Sequence, residues 1–123
     1  MLRLRKEVDV TVGNGNTTGT ATFSQRGLLK GIEIQAPAFA SATLSTITIT
    51  SPIGANVQTW GSLALAANVE VYKYPVSGAT PMTDFALYTA PGDVYTMTAT
   101  ISGDDGQDNI VKTYLDIEES GSI

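Results

Sequence analysis

Alternation of hydrophobic and polar residues runs through most of the chain and is clearest in residues 43–50. There Ile47 and Ile49 alternate with threonines. A period of two sends successive side chains to opposite faces of a β-strand, and β-branched residues fit such a half-buried surface. Residues 28–36 repeat the pattern with a second pair of isoleucines. Both segments are therefore predicted to be strands whose isoleucines face a core.

Seven further segments alternate in the same way or are rich in strand-forming residues. The predicted strands are residues 2–12, 17–24, 57–60, 69–76, 84–89, 94–102 and 110–117. Residues rich in Gly, Asn, Pro and Asp separate them, and these predict a turn at residues 13–16, a tight turn at 91–93 and a hairpin tip at 103–109. Residues 61–67 are too short for a stable helix, so they are predicted to be a loop or a strand.

The number and spacing of these segments indicate an all-β fold. Eight or nine short strands without a significant helix are typical of an antiparallel two-sheet β-sandwich, here jelly-roll-like. An immunoglobulin-like sandwich is the alternative, although the chain has no Cys…Trp…Cys signature. We expect residues 1–123 to form one domain, with residues 1–6 as a docking arm and residues 118–123 as a flexible tail.

The composition narrows the classes of function. Hydrophobic residues make up 42% and charged residues 15%, 17 residues are threonine, and the net charge of −5 argues against general nucleic-acid binding. The chain has no histidine and no cysteine, which removes the commonest general base and the commonest soft metal ligands. We therefore expect no catalytic residue, no metal site and no cofactor. The first residues lack the apolar segment of a secretory signal, and no apolar run is long enough to cross a bilayer, so we expect no membrane association.

The few charges are unevenly distributed along the chain. Residues 1–30 carry a net charge of +3, whereas residues 31–123 carry a net charge of −8. This asymmetry can orient contact with a partner, or let copies meet basic end to acidic end. The alternative is that a small acidic protein simply has a basic first strand.

Three aspartates near the predicted hairpin tip are the first candidate site. Asp104, Asp105 and Asp108 could together offer carboxylate oxygens to calcium, but the spacing fails the EF-hand pattern and no helices are predicted beside it. We expect a solvated turn. Residues 13–19 superficially resemble a phosphate-binding loop, but a strand follows where such a loop needs a helix, so a hairpin turn is predicted there.

Paired carboxylates of a glycosidase are the second candidate site. Outside the turns and the tail, the candidates are Glu33, Glu70, Asp84 and Asp93. Glu33 and Glu70 alternate with hydrophobic residues and are expected to point outward as solubilising positions. Nothing in the sequence pairs two of these carboxylates across a groove, so an enzyme is not expected.

The aromatic residues are the third candidate site. Trp60, Tyr72, Tyr74, Tyr88 and Tyr95 could stack on sugar rings, anchor a protein interface or fill the core. We expect Tyr95 in the core and place Tyr72, Tyr74 and Trp60 at an interface.

The order of these signals resembles a known group of proteins. A basic first strand precedes a Gly/Asn turn and a Thr-rich strand, then come Gly27-Leu-Leu-Lys-Gly-Ile-Glu-Ile34, the strand at residues 43–50, and Gln58-Thr-Trp60 before an aromatic strand. The chain ends with residues 94–102 and Val111-Lys-Thr-Tyr-Leu-Asp-Ile117. Over residues 2–117 this resembles the small β-sandwich decoration, or cement, proteins and minor head proteins of tailed bacteriophages.

The resemblance implies a non-enzymatic virion protein on the capsid surface, made in the host cytoplasm. Such proteins bind the major capsid protein at capsomer junctions and hold neighbouring coat subunits together, so the expected partners are the major capsid protein and further copies in a dimer or trimer, without nucleic acid or membrane. The basic first segment is expected to dock. The interface residues predicted on this basis are Met1, Leu2, Arg3, Leu4, Arg5, Lys6, Trp60, Tyr72 and Tyr74.

Two other classes of function remain open at this point. A carbohydrate-binding or adhesin-like module on the virion is the second hypothesis, because aromatic faces stack on sugars. A small hydrolase is the third and the least supported by the residues.

Overall fold

The strands predicted from the alternating pattern are present in the computed structural model, which describes residues 2–54, 56–77, 80–81, 85–87 and 94–119. These residues form an all-β chain without a helix, and hence no helix long and apolar enough to cross a membrane occurs among them. The predictions for Met1, Asp84, Tyr88, residues 91–93 and residues 120–123 fall outside the described residues.

Eleven strands occur within the described residues. They are β1 (Leu2–Val12), β2 (Thr18–Phe23), β3 (Gly27–Gln35), β4 (Leu44–Thr50), β5 (Asn56–Trp60), β6 (Glu70–Lys73), β7 (Val76–Ser77), β8 (Thr80–Pro81), β9 (Phe85–Leu87), β10 (Tyr95–Ile101) and β11 (Asn109–Glu119). Two antiparallel sheets contain most of them, which confirms the two-sheet β-sandwich.

The two sheets differ in chemistry, and we name them accordingly. The charged sheet has the strand order β1-β11-β3-β6, with β9 also pairing with β3, and its strands contain 13 of the 19 charged residues of the chain. The threonine sheet has the order β2-β10-β4-β5, and its strands contain no charged residue. Strands β7 and β8 form a separate two-stranded ribbon.

The core lies between the sheets and consists of the inward residues that alternation predicts. Ile32 and Ile34 of the charged sheet and Ile47 and Ile49 of the threonine sheet are all 0% exposed. Burying an isoleucine side chain contributes roughly 1.5–3 kcal/mol to folding. The isoleucine pairs that identified the strands therefore also stabilise the contact between the sheets.

Most connections between consecutive strands cross from one sheet to the other. Among the described strands of the two main sheets, only β4 and β5 are both consecutive and paired. Residues 103–109 therefore do not form the hairpin tip that was predicted, because β10 belongs to the threonine sheet and β11 to the charged sheet. Turn residues indicate where a chain reverses, but they do not specify which sheet receives the next strand.

One predicted strand is divided in the structure. Residues 69–76 form β6 and β7 instead of one strand, because Pro75 lacks the N–H that would continue a ladder. Residues 2–6, the described part of the predicted docking arm, lie in β1, where Leu2 to Lys6 pair with Glu119 to Leu115.

The outer face of the threonine sheet is built from hydroxyl-bearing residues. Strands β2, β4 and β10 each place three threonines at alternate positions, and Thr98 pairs with Thr20 on one side and Thr48 on the other. Thr59 of β5 extends this row, with its Oγ1 atom 3.4 Å from that of Thr48. One side of the molecule is therefore uncharged along its strands, and the charged and aromatic groups lie on the other.

Candidate binding surface

Strand register brings distant polar and aromatic residues together on the outer face of the charged sheet. Glu7, Tyr114, Glu33 and Tyr72 follow one another across β1, β11, β3 and β6. Each occupies a position that alternates with core residues on its own strand. The row therefore faces away from the core, and the outward position predicted for Glu33 is confirmed.

Tyr72 lies flat across the sheet because Gly31 leaves room for its ring. A side chain on Gly31 would overlap the phenol of Tyr72. The Tyr72 hydroxyl donates a hydrogen bond of 3.1 Å to Oδ2 of Asp116, which pairs with Gly31 in the neighbouring strand. A glycine in the middle of β3 thus allows an aromatic ring from β6 to reach β11.

Arg5 covers the other end of the same surface. Its guanidinium carbon lies 4.0 Å from the centroid of the Tyr114 ring, and its Nη2 atom pairs with Oε2 of Glu33. The Arg5 side chain is 60% exposed, so the ion pair adds little to stability. Its main effect is to hold a cation over an aromatic face at the surface.

Tyr72 and Tyr74 form the most exposed aromatic pair of the described residues. Their rings meet edge to face at 5.5 Å and 82°, and their exposed fractions are 47% and 56%. This is the exposure that their predicted interface role requires. We name the group of Arg5, Glu33, Tyr72, Tyr74, Tyr114 and Asp116 the tyrosine surface.

Trp60, also predicted at an interface, lies in the core instead. Its side chain is only 4% exposed, and its indole N–H donates a 2.9 Å hydrogen bond to the carbonyl of Tyr74. The large apolar ring is buried between the sheets while its one donor is satisfied by backbone. Trp60 therefore fixes the chain that carries Tyr74, and only a small part of its ring reaches the surface.

Two clefts adjoin the tyrosine surface. The first, of about 370 Å³, is lined by Leu4, Arg5, Glu33, Tyr72, Tyr114 and Asp116. The second, of about 380 Å³, lies between the end of β5 and β6 and shares Tyr72 with the first. Both fall in the size range of small-ligand sites, and Tyr72 is the wall between them.

The predicted N-terminal candidates are only partly brought to this surface. Leu4 and Arg5 line the first cleft together with Tyr72. Leu2 and Arg3 lie further along β1, opposite Glu119 and Glu118. Tyr95 is 4% exposed and stacks on Phe23 at 5.6 Å, which confirms the prediction that it is a core residue.

Within the aspartate cluster, Asp105 is a structural clamp and is not solvated as predicted, whereas Asp104 and Asp108 are exposed. Asp105 is 6% exposed and accepts hydrogen bonds from the backbone N–H groups of Ala40 at 2.9 Å and of Ser41 and Ala42 at 2.7 Å. The Asn109 side chain donates another at 3.0 Å. Chiefly the Ala40 hydrogen bond, with those from Ser41, Ala42 and Asn109, holds the pKa of Asp105 far below its usual range, against the opposing effect of burial.

The neighbouring aspartates also accept from backbone. Asp108 accepts from the N–H of Asn14 at 2.7 Å, and Asp104 accepts from that of Gly15 at 3.1 Å. These oxygens join the loop after β1 to the crossover before β11. Among the described residues, no three side chains of the metal-binding types come together to hold an ion.

Comparisons of the chain with models of protein families, with curated proteins and with solved structures found no match. Function is therefore inferred from the tyrosine surface and from the residues that form it.

Proposed function

We propose that this protein is a non-enzymatic structural component of a phage virion. It binds the outside of the capsid at capsomer junctions, contacts the major capsid protein and stabilises the shell. The observation that carries the proposal is the exposed Tyr72–Tyr74 pair, held on a rigid sheet beside the Arg5–Glu33 ion pair. The choice of a capsid as the partner comes from the resemblance of the sequence to phage decoration proteins.

The chemistry of the tyrosine surface suits protein recognition. Tyrosine and arginine are enriched among the residues that contribute most to interfaces, because they combine large apolar area with donors and acceptors. Here Tyr72 is fixed by Gly31 and Asp116, so less side-chain freedom is lost on binding. A capsid repeats the same site many times, and an assembly that engages several copies needs only modest affinity from each.

Co-sedimentation with purified empty capsids tests this proposal. Tyr74→Ala removes an exposed ring, and we expect it to weaken capsid binding about 10- to 30-fold, the loss typical of an interface anchor. Thr98→Ala on the threonine sheet is the matched control and should bind as the wild type does. Wild-type protein that fails to sediment with capsids, or equal binding by Tyr74→Ala, contradicts the proposal.

The first cleft favours carbohydrate binding as a second candidate function. It presents tyrosine rings beside two carboxylates and a guanidinium, groups that stack on and hydrogen-bond to sugars. A glycan array separates the two functions: saturable binding that is lost in Tyr72→Ala but kept in Thr98→Ala supports the carbohydrate-binding module. If no glycan binds while capsids do, the capsid function stands alone.

A further inference from the structure

Strand β1 is an edge strand of unusual length. It spans Leu2–Val12 and pairs with β11 along one side, and no described strand pairs with its other side. Strand β2 lies close to the end of β1 without pairing with it, and Gly19 packs there against the Thr11 carbonyl. Unpaired N–H and C=O groups at such an edge are a template for another strand.

Alternate positions of β1 form a self-complementary series of charges. From one end to the other they are Arg3, Arg5, Glu7 and Asp9, two basic residues followed by two acidic ones, of which the last three are exposed. An antiparallel copy of the same strand presents this series in reverse. Basic residues of one copy then face acidic residues of the other.

One register satisfies all of these charges. With a two-fold axis at Lys6, Arg5 of each copy faces Glu7 of the other, and Arg3 faces Asp9. A two-fold axis at Glu7 would place the two Glu7 residues together, and an axis at Arg5 would place the two arginines together. Like charges directly opposite one another destabilise a strand pair. The axis at Lys6 is selected because it gives four opposite-charge contacts in this series, and its one like-charge contact, between the two Lys6 residues, lies on the other face.

The inward residues agree with the same register, with one exception. Leu4, which is partly buried against the core, would face Val8 of the other copy and extend the core across the junction. The two Lys6 residues would face each other on this side, which is unfavourable. Because this is a single like-charge contact, a substitution that removes the charge of Lys6 tests the register.

We propose that the protein forms a two-fold dimer in which the β1 strands of two copies pair antiparallel about Lys6. Such a dimer joins the two charged sheets into one continuous sheet, and closed two-fold symmetry lets the same edge serve both copies. Both tyrosine surfaces then lie on the same side of that sheet. The guanidinium of Arg5 lies over Tyr114 and pairs with Glu33, so it must turn toward the free edge of β1 to meet Glu7 of the other copy.

Sedimentation equilibrium of the wild type and of charge-reversed variants tests the dimer. We expect twice the monomer mass for the wild type. Arg5→Glu and Glu7→Arg each convert two opposite-charge contacts into like-charge contacts, so each alone should raise the dissociation constant about 10- to 100-fold. The double variant with both reversals should dimerise again, and a mixture of the two single variants should form a heterodimer, because each supplies the charge that the other lacks.

Two further variants make the register specific. Lys6→Gln removes the like-charge contact at the axis and should strengthen the dimer. Glu70→Arg, an exposed reversal on β6 at the opposite end of the charged sheet, is the matched control and should leave the dimer unchanged. A wild-type monomer at all concentrations, or no rescue by the double reversal, overturns the proposal. Capsid binding is measured separately with Tyr74→Ala. The proposed function therefore stands or falls independently of whether the protein dimerises.

Discussion

At the scale of single residues, two positions control the geometry of the candidate surface and of the loops at one end of the sandwich. Gly31 matters for the side chain it lacks, because its absence admits the ring of Tyr72. Asp105 matters because one buried carboxylate satisfies the N–H groups of three consecutive residues in the loop between β3 and β4. Substitution of either residue changes only a few atoms. Gly31 variants test the position of the Tyr72 ring, and Asp105 variants test how the loop between β3 and β4 is held.

Gly31→Ala should separate binding from folding. The added methyl group must displace the Tyr72 ring, which is about half exposed and whose hydroxyl donates to the Asp116 side chain. We expect the free energy of unfolding to change by no more than about 1 kcal/mol, because alanine also reduces the entropy of the unfolded chain. Capsid binding should fall as far as it does in Tyr72→Ala.

The matched control for this variant is Gly103→Ala, where an added methyl group meets nothing within 4 Å. Capsid binding that survives Gly31→Ala would show that the position of the Tyr72 ring is unimportant.

Asp105→Asn should lower stability and flatten its pH dependence. The folded-state pKa of Asp105 is depressed, so as pH falls below about 4 the unfolded chain takes up a proton more readily than the folded protein does. The stabilisation is therefore present above about pH 4 and is lost as pH falls further. Urea unfolding midpoints at pH 7 and pH 3 should differ less in Asp105→Asn than in the wild type.

Asp108→Asn is the comparison variant, because Asp108 is exposed and accepts one hydrogen bond from the Asn14 N–H. It should lose less stability at pH 7 than Asp105→Asn. Equal effects of the two substitutions would contradict the clamp assigned to Asp105.

At the scale of elements, β4 shows how far alternation determines a strand. Ile47→Asp places an unpaired charge at a position with 0% exposure, which costs several kcal/mol and should abolish soluble folded protein. Thr48→Asp introduces the same group one residue later on the outer face and should leave the melting temperature within a few degrees of the wild type. The melting temperature and the solubility of the two variants are measured. An Ile47→Asp protein that melts as the wild type does would contradict the assignment of Ile47 to the core.

Removing residues 1–6 tests the predicted docking segment. Residues 2–6 pair with the end of β11, whereas the core residues Val8, Val10 and Val12 remain. We expect the shortened protein to stay folded and to bind capsids more weakly, because Leu4 and Arg5 leave the first cleft. Unchanged occupancy on capsids would remove the docking segment from the proposal, and circular dichroism shows whether the fold survives.

The elements were predictable from the sequence where local pattern decides them, whereas the site was predicted only in part, through Arg5, Tyr72 and Tyr74. Alternation located β3 and β4 because a period of two is visible within a few residues. The clamp of Asp105 was missed because its N–H donors lie more than 60 positions earlier in the chain. Likewise, Tyr114 and Asp116 join Arg5 and Tyr72 only once the strand order is known, and no local signal in the sequence encodes that order.

At the scale of the whole molecule, the two outer faces carry different kinds of side chain. The charged sheet offers ion pairs and aromatic rings, whereas the strands of the threonine sheet offer hydroxyl and methyl groups alone. Charge reversals on the charged sheet and Thr98→Ala on the threonine sheet therefore probe faces that do not share contacts.

The pairing of β1 with β11 also bears on how the protein is made. Leu4 lies beside Ile117, so β1 must wait during synthesis for β11, which follows all the other described strands in the chain. At about 5–20 residues per second, translation leaves β1 without this neighbour for several seconds to tens of seconds. The charged sheet can therefore be completed only after β11 has been synthesised.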